Sequence, residues 1–532
     1  MRESTASPAA ARALLFGAAA LALVLLLPYL ETVPGLHGDE AWVGLRVRAL
    51  SEGHHTVYGM NAYTGSVHQY LLLPFMQLLG YRVAVLRGFS VATSLISLLL
   101  YFSIVRRLFG ARAAGIAALL LASLPFFTLY GRTATENFAL NPVCALGACR
   151  LLLAARDRTG RRRVMLALAA GALLALATWS HIIFLPVPAL LALAALLHLR
   201  LRLLRSPVFV AAAMGFFIAL APRLVAQVVL PPEQSALAVS VQRARLLHLL
   251  PVRLLEWPGI CGGIVHGDLL YQRYTGEVAW PTPPIGALLF AVSLLAALHA
   301  ALRRTIAQHR QLLALLGSLP ALFLMTIALA PESADRYQLL IVYYAPLFLA
   351  LLLERLFTAR APPLVGTTAL LLLVALNVAR TTIDFYAAHL RTGGLTSAFR
   401  LGLTPLPIDA KTMSRDTLQQ LFAQRLAETS NHFVRTDRLY RELVLRQVEG
   451  LFTEFMIAMP LFFYDLDQHH FQSIVYPDLF IGRDPSADLI DHRPQRIVVT
   501  YGGGLRWLVP EQWGATRPLF RFEQFQGHGF SR

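Results

Sequence analysis

Residues 36–42 read LHGDEAW, so two adjacent carboxylates, Asp39 and Glu40, follow the first long apolar run almost at once. A carboxylate in a partly dry pocket can take a proton from a hydroxyl as a general base; left in solvent, the same pair is an ordinary polar loop. A third acid, Glu136, stands in GRTATENF, where it either joins such a pocket or favours the positive end of a helix. Arg336 lies in PESADRYQLL with Tyr337 beside it. A guanidinium binds phosphate through two parallel hydrogen bonds, and it equally anchors the end of a membrane helix among headgroups. Arg87 and Arg132 are weaker candidates for the same phosphate contact. The tripeptide HGD occurs at His37–Asp39 and again at His266–Asp268. Imidazole plus carboxylate can hold a divalent ion, although a three-residue match recurs readily by chance.

These residues must be held by elements that live mostly in lipid. The chain has 532 residues, of which 56% are hydrophobic and 14% charged, and its formal net charge is +17. Lys411 is the sole lysine, so the positive charge is almost all arginine. A basic balance suits nucleic acid, but here the arginines cluster in short segments between apolar runs, where cytoplasmic membrane loops carry them. Cys144 and Cys149 share one apolar run and Cys261 stands apart, which indicates neither a disulfide framework nor a cysteine metal site. The N-terminal run is long enough to span a bilayer and has no clear small-residue cleavage site after it, so it is expected to remain as a first helix.

Apolar runs long enough to span occur near 11–30, 83–105, 111–130, 137–155, 164–180, 183–199, 207–229, 284–302, 311–330, 337–357 and 362–384, eleven in all. The segment 67–80 is apolar but short, with His68, Gln69 and Pro74. If it lies in the interface, the loops 106–112, 156–163, 200–205, 303–310 and 355–360 fall on one side with 16 arginines in 35 residues. The long loops 31–82 and 231–283 then fall on the other side with 7 arginines in 105 residues. Positive charge belongs to the cytoplasmic side, so this arrangement is expected. It gathers Asp39, Glu40, Glu136, Asp268 and Arg336 at the outer face. His181 in WSH (179–181) is then expected at an outer turn, capping it or lining a cavity. Pro222 is expected to kink its helix, with Arg223 facing a wet groove or snorkelling to the interface. Residues 385–532 are far more polar, with a helix-like TLQQLFAQRLAE and a strand-like QRIVVTYGGG, and read as a small α/β extracytoplasmic domain after a membrane domain of residues 1–384.

The DE pair after the first span, the interfacial segment, the second span opened by RGFSVATSLISLLLYFSIVRRLFG, and LPFFTLYGRTATENFAL resemble the GT-C superfamily of glycosyltransferases. The likeness is greatest to bacterial relatives of the dolichyl-phosphate-mannose protein mannosyltransferases and the lipid A aminoarabinose transferase, over residues 10 to about 385. It implies a mainly α, polytopic membrane fold that moves a sugar from a polyprenyl-phosphate donor to a glycan, lipid or protein acceptor at the outer face, usually with inversion. It assigns Asp39 as base with Glu40 as helper or ligand, Glu136 as a second acidic site where many relatives have Asp, and Arg336 as holder of the donor phosphate. Relatives differ in whether they need a metal, so no cofactor is firmly implied and a divalent ion is compatible with the acids. The expected location is a multi-pass plasma membrane, with a cytoplasmic N-terminus. The alternative, a lipid or solute transporter, predicts ionisable residues at mid-span and a structural repeat. The ionisable residues instead collect at one face, and no repeat is evident, which favours the enzyme over a transporter or an inactive scaffold.

Overall fold

A computed structural model of the chain describes residues 8–60, 63–229, isolated positions between 251 and 265, 285–303, 308–329, 341–358, 363–392, 435–448, 450–452, 455–471, 473–475, 496–501, 516–522 and 525–530. The chain divides into two compact units: residues 1–28, 49–270 and 281–381 form the first, and 29–48, 271–280 and 382–532 the second. This differs from a simple cut near residue 385, because the segment carrying Asp39 and Glu40 belongs with the C-terminal residues.

Unit 1 is built of long apolar helices. They are α1 (Pro8–Leu26), α3 (Val67–Leu79), α4 (Val83–Phe109), α5 (Ala111–Ser123), α6 (Pro125–Gly131), α7 (Glu136–Arg156), α8 (Gly160–Ser180), α9 (Pro186–Leu199) and α10 (Pro207–Val229), then α11 (Ile285–Leu302), α12 (His309–Leu329), α13 (Ile341–Thr358) and α14 (Pro363–Arg380). Each of the eleven apolar runs therefore contains helix. Among the described residues, six helices are long and apolar enough to cross a membrane on their own, and α5 with α6, bent by 64° at their junction, form either a broken span or a re-entrant loop. The bend has a local cause: Pro125 excludes the helical conformation from the residue before it, and Leu124 is extended at φ −62°, ψ 129°. With 13 residues, α3 is only about 20 Å long, short of the roughly 30 Å apolar core of a bilayer. It fits the interfacial reading.

Packing in unit 1 relies on small residues and hydroxyls, because lipid offers no hydrophobic drive between helices. The pair α8 and α10 approaches closest at Gly171 and Gly215: a Cβ on Gly171 would overlap the Ala212 carbonyl oxygen, and one on Gly215 would overlap that of Leu168. Ala148, Ala170 and Leu174 form a buried cluster where α7 meets α8. Hydrogen bonds tie other helices, with Ser94 Oγ donating to Gly131 O (3.1 Å), Arg150 Nε to Ser103 Oγ (2.7 Å), Tyr101 Oη to Tyr343 O (2.9 Å) and Asn377 Nδ2 to Ser123 Oγ (3.1 Å). Large apolar side chains such as Phe16, Phe217, Ile218 and Leu372 remain exposed on long helices, as lipid-facing residues must.

Unit 2 holds α2 (Gly38–Ser51), whose residues up to Arg48 belong to it, a π-helical turn at Thr381–Ala387, α15 (Ala388–Thr392), α16 (Thr436–Leu445) and α17 (Phe455–Asp465). Its five strands are β1 (Gly450–Phe452), β2 (Ser473–Val475), β3 (Arg496–Tyr501), β4 (Thr516–Phe522) and β5 (Phe525–Phe530). They form one mixed sheet in the order β2-β1-β3-β5-β4, parallel between β1 and both its neighbours, antiparallel between β3, β5 and β4. Pro518 can donate no ladder hydrogen bond and sits in β4, the edge strand, beside a register shift at Pro518/Phe520. The strand-like stretch QRIVVTY becomes β3, while the helix-like TLQQLFAQRLAE (417–428) lies outside the described residues.

Candidate functional site

Asp39 and Glu40 open α2, and their two carboxylates have different duties. His37 stands at the N-cap: its Nδ1 accepts the Asp39 N–H at 3.0 Å, and the Glu40 Oε2 accepts the His37 N–H at 3.1 Å. This is a capping box with histidine in the place usually taken by serine or threonine, and it satisfies two backbone donors that a helix start leaves open. Glu40 is wholly buried, whereas the Asp39 side chain is 34% exposed. The Asp39 carboxylate lies 3.6 Å from His37 Nδ1. Asp39 is thus the member of the pair with an open face.

Three further contacts hold this helix start within unit 2. Gly35 N–H donates to His389 Nε2 at 3.2 Å from a wholly buried histidine on α15. A Cβ on Gly44 would collide with the Phe463 ring of α17, so glycine lets that aromatic pack closely against α2. Arg48 reaches Asp467 at 3.5 Å, a solvent-screened pair. The C-terminal residues therefore buttress the helix that carries Asp39. The H-x-x-E pattern at 37–40 was open to reading as a cap; nothing local in the sequence marks His389 or Phe463 as its supports. Replacing His37 by Ala is expected to weaken α2 by about 1 kcal/mol. Asn, a good cap, is expected to recover it, as thermal unfolding of the two variants in detergent will show.

In unit 1, Arg87 and Arg132 are wholly buried. Arg132 follows α6 and donates from Nη2 to Pro28 O at 2.5 Å, placing its charge at the C-terminal end of α1, where the helix dipole favours a cation. Glu136 is the first residue of α7, with Thr135 at the N-cap. His181 accepts the Ile183 N–H through Nδ1 at 3.0 Å and caps a short 3-10 turn, one of the two roles expected of it. Arg223 is buried inside α10: its Nη1 donates to Thr64 O at 2.6 Å and its guanidinium stacks 4.2 Å above the Tyr58 ring. It is therefore neither snorkelling nor facing open water but fastens the first long loop. That loop is sewn down further by Gly65 N to Ser180 O (2.9 Å), Ile182 N to Tyr63 O (3.1 Å) and Trp179 Nε1 to Val57 O (2.9 Å).

Thus His37, Asp39 and Glu40 lie together in unit 2, and Arg87, Arg132 and Glu136 lie in unit 1. His266, Asp268, Arg336 and Tyr337 lie outside the described residues. All three cysteines are free thiols. Among the described residues no three of His, Cys, Asp and Glu gather as metal ligands, and His37 Nδ1 is already committed to the cap.

The whole chain is similar to solved membrane structures. Over 98% of both chains it matches ArnT from Cupriavidus metallidurans in the apo state at 16% identity with a TM-score of 0.59. It matches the same protein bound to undecaprenyl phosphate at 13% identity and 0.56, again over 98% of each chain. AglB, an archaeal oligosaccharyltransferase from Archaeoglobus fulgidus in complex with an inhibitory peptide and a dolichol-phosphate, matches at 14% identity with a TM-score of 0.52. That match covers 95% of this chain and 70% of AglB. The chain has the GT-C fold. Residues 65–225 also match the family model described as Dolichyl-phosphate-mannose-protein mannosyltransferase. No curated protein sequence matches the chain. Within the GT-C fold the matched stretch runs from the loop before α3 into α10, so it carries Arg87, Arg132 and Glu136 but begins after Asp39. The likeness in structure, by contrast, extends through the C-terminal residues that support α2.

Proposed function

We propose that this multi-pass membrane protein transfers a monosaccharide from a polyprenyl-phosphate donor to an acceptor hydroxyl or amide at the outer face, with inversion at the anomeric carbon. The observation that carries this reading is the division of labour at the start of α2: Glu40 is locked into the cap, while Asp39 keeps a solvent-accessible carboxylate on a rigidly held helix. That is what a general base needs, a fixed position and a free lone pair. Asp39 takes the acceptor proton as the acceptor attacks the anomeric carbon. The bond to the donor phosphate oxygen breaks on the opposite face, and the polyprenyl phosphate leaves as an anion.

Arg336, with Tyr337 beside it, holds that phosphate and offsets its charge. Glu136 orders the acceptor from the start of α7. Arg87 and Arg132 are buried and engaged with the protein, which makes them supports of the fold before they are ligands. His266 and Asp268 are further substrate-binding candidates. The arginine distribution puts the N-terminus in the cytoplasm and the long loops and C-terminal unit outside it. The binding of undecaprenyl phosphate by a structural relative supports a lipid-phosphate donor.

Deletion of the gene tests the reading: a polyprenyl-phosphate sugar is expected to accumulate in the membrane, and restoring the wild-type chain should clear it. A lipid profile unchanged by deletion would remove the donor assignment.

A further inference from the structure

One end of α4, α7 and α8 carries charge that the protein does not balance. Arg106 and Arg107 lie in the last turn of α4, Arg156 closes α7, Arg158 follows in the turn, and Arg161, Arg162 and Arg163 fill the first turn of α8. All seven are exposed. An ion pair from Arg107 Nη2 to Asp157 Oδ2 ties the end of α4 to the turn between α7 and α8, so these arginines share one face of unit 1. Asp157 is the single acid in the segments 106–112 and 156–163, and the other six arginines make no ion pair among the described residues.

A loop that merely stays on one side of a membrane needs positive charge but no particular place for it. The placement here is specific. Arginines in the last turns of α4 and α7 meet the negative end of the helix dipole, which favours them. Arg161, Arg162 and Arg163 stand at the opposite, positive end of α8, whose first turn has no acidic residue. There the dipole disfavours cations, and neighbours of the same sign add to the repulsion within the roughly 10 Å that salt leaves unscreened. An anion from outside the chain offsets both effects. The charged face also gives way at once to apolar surface. Met165, two residues after Arg163, is 52% exposed, and Val210 and Met214 are exposed on α10, which packs against α8. A free ion would use only the charged half of this surface. A phospholipid of net negative charge uses both halves, with guanidinium on phosphate and acyl chains on the apolar side chains.

We propose that this face binds an anionic phospholipid of the cytoplasmic leaflet, with Arg161, Arg162 and Arg163 on the headgroup phosphate and the acyl chains along Met165. The inference rests on the orientation reading above, in which the arginine-rich loops are cytoplasmic.

The test titrates purified full-length protein in detergent with dioleoyl phosphatidylglycerol or with dioleoyl phosphatidylcholine and counts bound lipid by native mass spectrometry. Wild type is expected to bind phosphatidylglycerol at least fivefold more tightly than phosphatidylcholine. Arg161→Gln/Arg163→Gln is expected to lose that preference and, without added lipid, to unfold no earlier than wild type. Arg303→Gln/Arg310→Gln removes two exposed arginines at another loop and should keep the preference within twofold. The proposal fails if wild type does not distinguish the two lipids or if Arg161→Gln/Arg163→Gln keeps the preference. It fails equally if both variants lose it alike, since net charge and not this face would then set binding. Displacement of phosphatidylglycerol by inorganic phosphate, beyond that by chloride of the same ionic strength, would also overturn it in favour of a free-anion site. Reaction of Arg161→Cys, beyond that of wild type, with an impermeant thiol reagent outside intact cells would instead overturn the orientation, and the leaflet with it, whatever the binding in detergent.

Discussion

Asp39→Asn is expected to lower the rate of sugar transfer by about two to four orders of magnitude, the usual contribution of a positioned general base. Asparagine is nearly the same size and keeps the backbone N–H that His37 accepts, so α2 should form as before. Donor binding should change little. The neighbouring acid should respond in the opposite manner. In Glu40→Gln an amide oxygen can still accept the His37 N–H, so transfer should persist near the wild-type rate, while Glu40→Ala leaves a buried N–H without that acceptor and should lose about 1–3 kcal/mol of stability. Transfer of label from a polyprenyl-phosphate sugar, followed together with thermal unfolding, separates the two acids. Normal transfer by Asp39→Asn, or loss of transfer without loss of stability in Glu40→Gln, would reverse their roles.

Gly171→Val should disrupt the membrane unit itself. A Cβ at Gly171 overlaps the backbone carbonyl of Ala212, and at Gly215 the carbonyl of Leu168, so each glycine receives the backbone of the other's helix. Backbone cannot swing aside as a flexible side chain can, so α8 and α10 must separate or slide. The loss of stability should be about 3 kcal/mol or more, at the high end for overpacking. Separation would also pull Arg223 on α10 away from Thr64 and loosen the first long loop. Gly17→Ala, where the added atom meets nothing within 4 Å, serves as the control and should be neutral. Thermal unfolding in detergent measures both; a Gly171→Val protein as stable as the control would contradict the close approach.

The sequence marked much of this in advance, wherever the signal is local. Apolar length located the helices, because a span must satisfy its own backbone and needs about 20 residues to do so. The shortness of 67–80 together with the arginine distribution led to an interfacial helix being expected there, whereas the break before Pro125 inside the run 111–130 was not anticipated. The adjacent acids at 39 and 40 were recognisable as chemistry, and QRIVVTY as a strand.

What the linear order did not contain was the sorting of equals. Asp39 and Glu40 look interchangeable side by side, yet helix geometry turns the residue at N3 back onto the cap and leaves the one at N2 open. Arg223 carried two plausible fates by position alone, and a carbonyl 159 residues away decided on a third. His68 read as one polar residue in an apolar run until enclosure left its nitrogens unpartnered among the described residues. Nothing near residue 44 announces Phe463, nor anything near 35 His389. Periodicity and length report each residue's own backbone and solvent, so they specify elements; whether a side chain is buried, capped or left open depends on partners that range from His37, three residues from Glu40, to His389 and Phe463, hundreds of residues from α2, and only the folded chain brings them together.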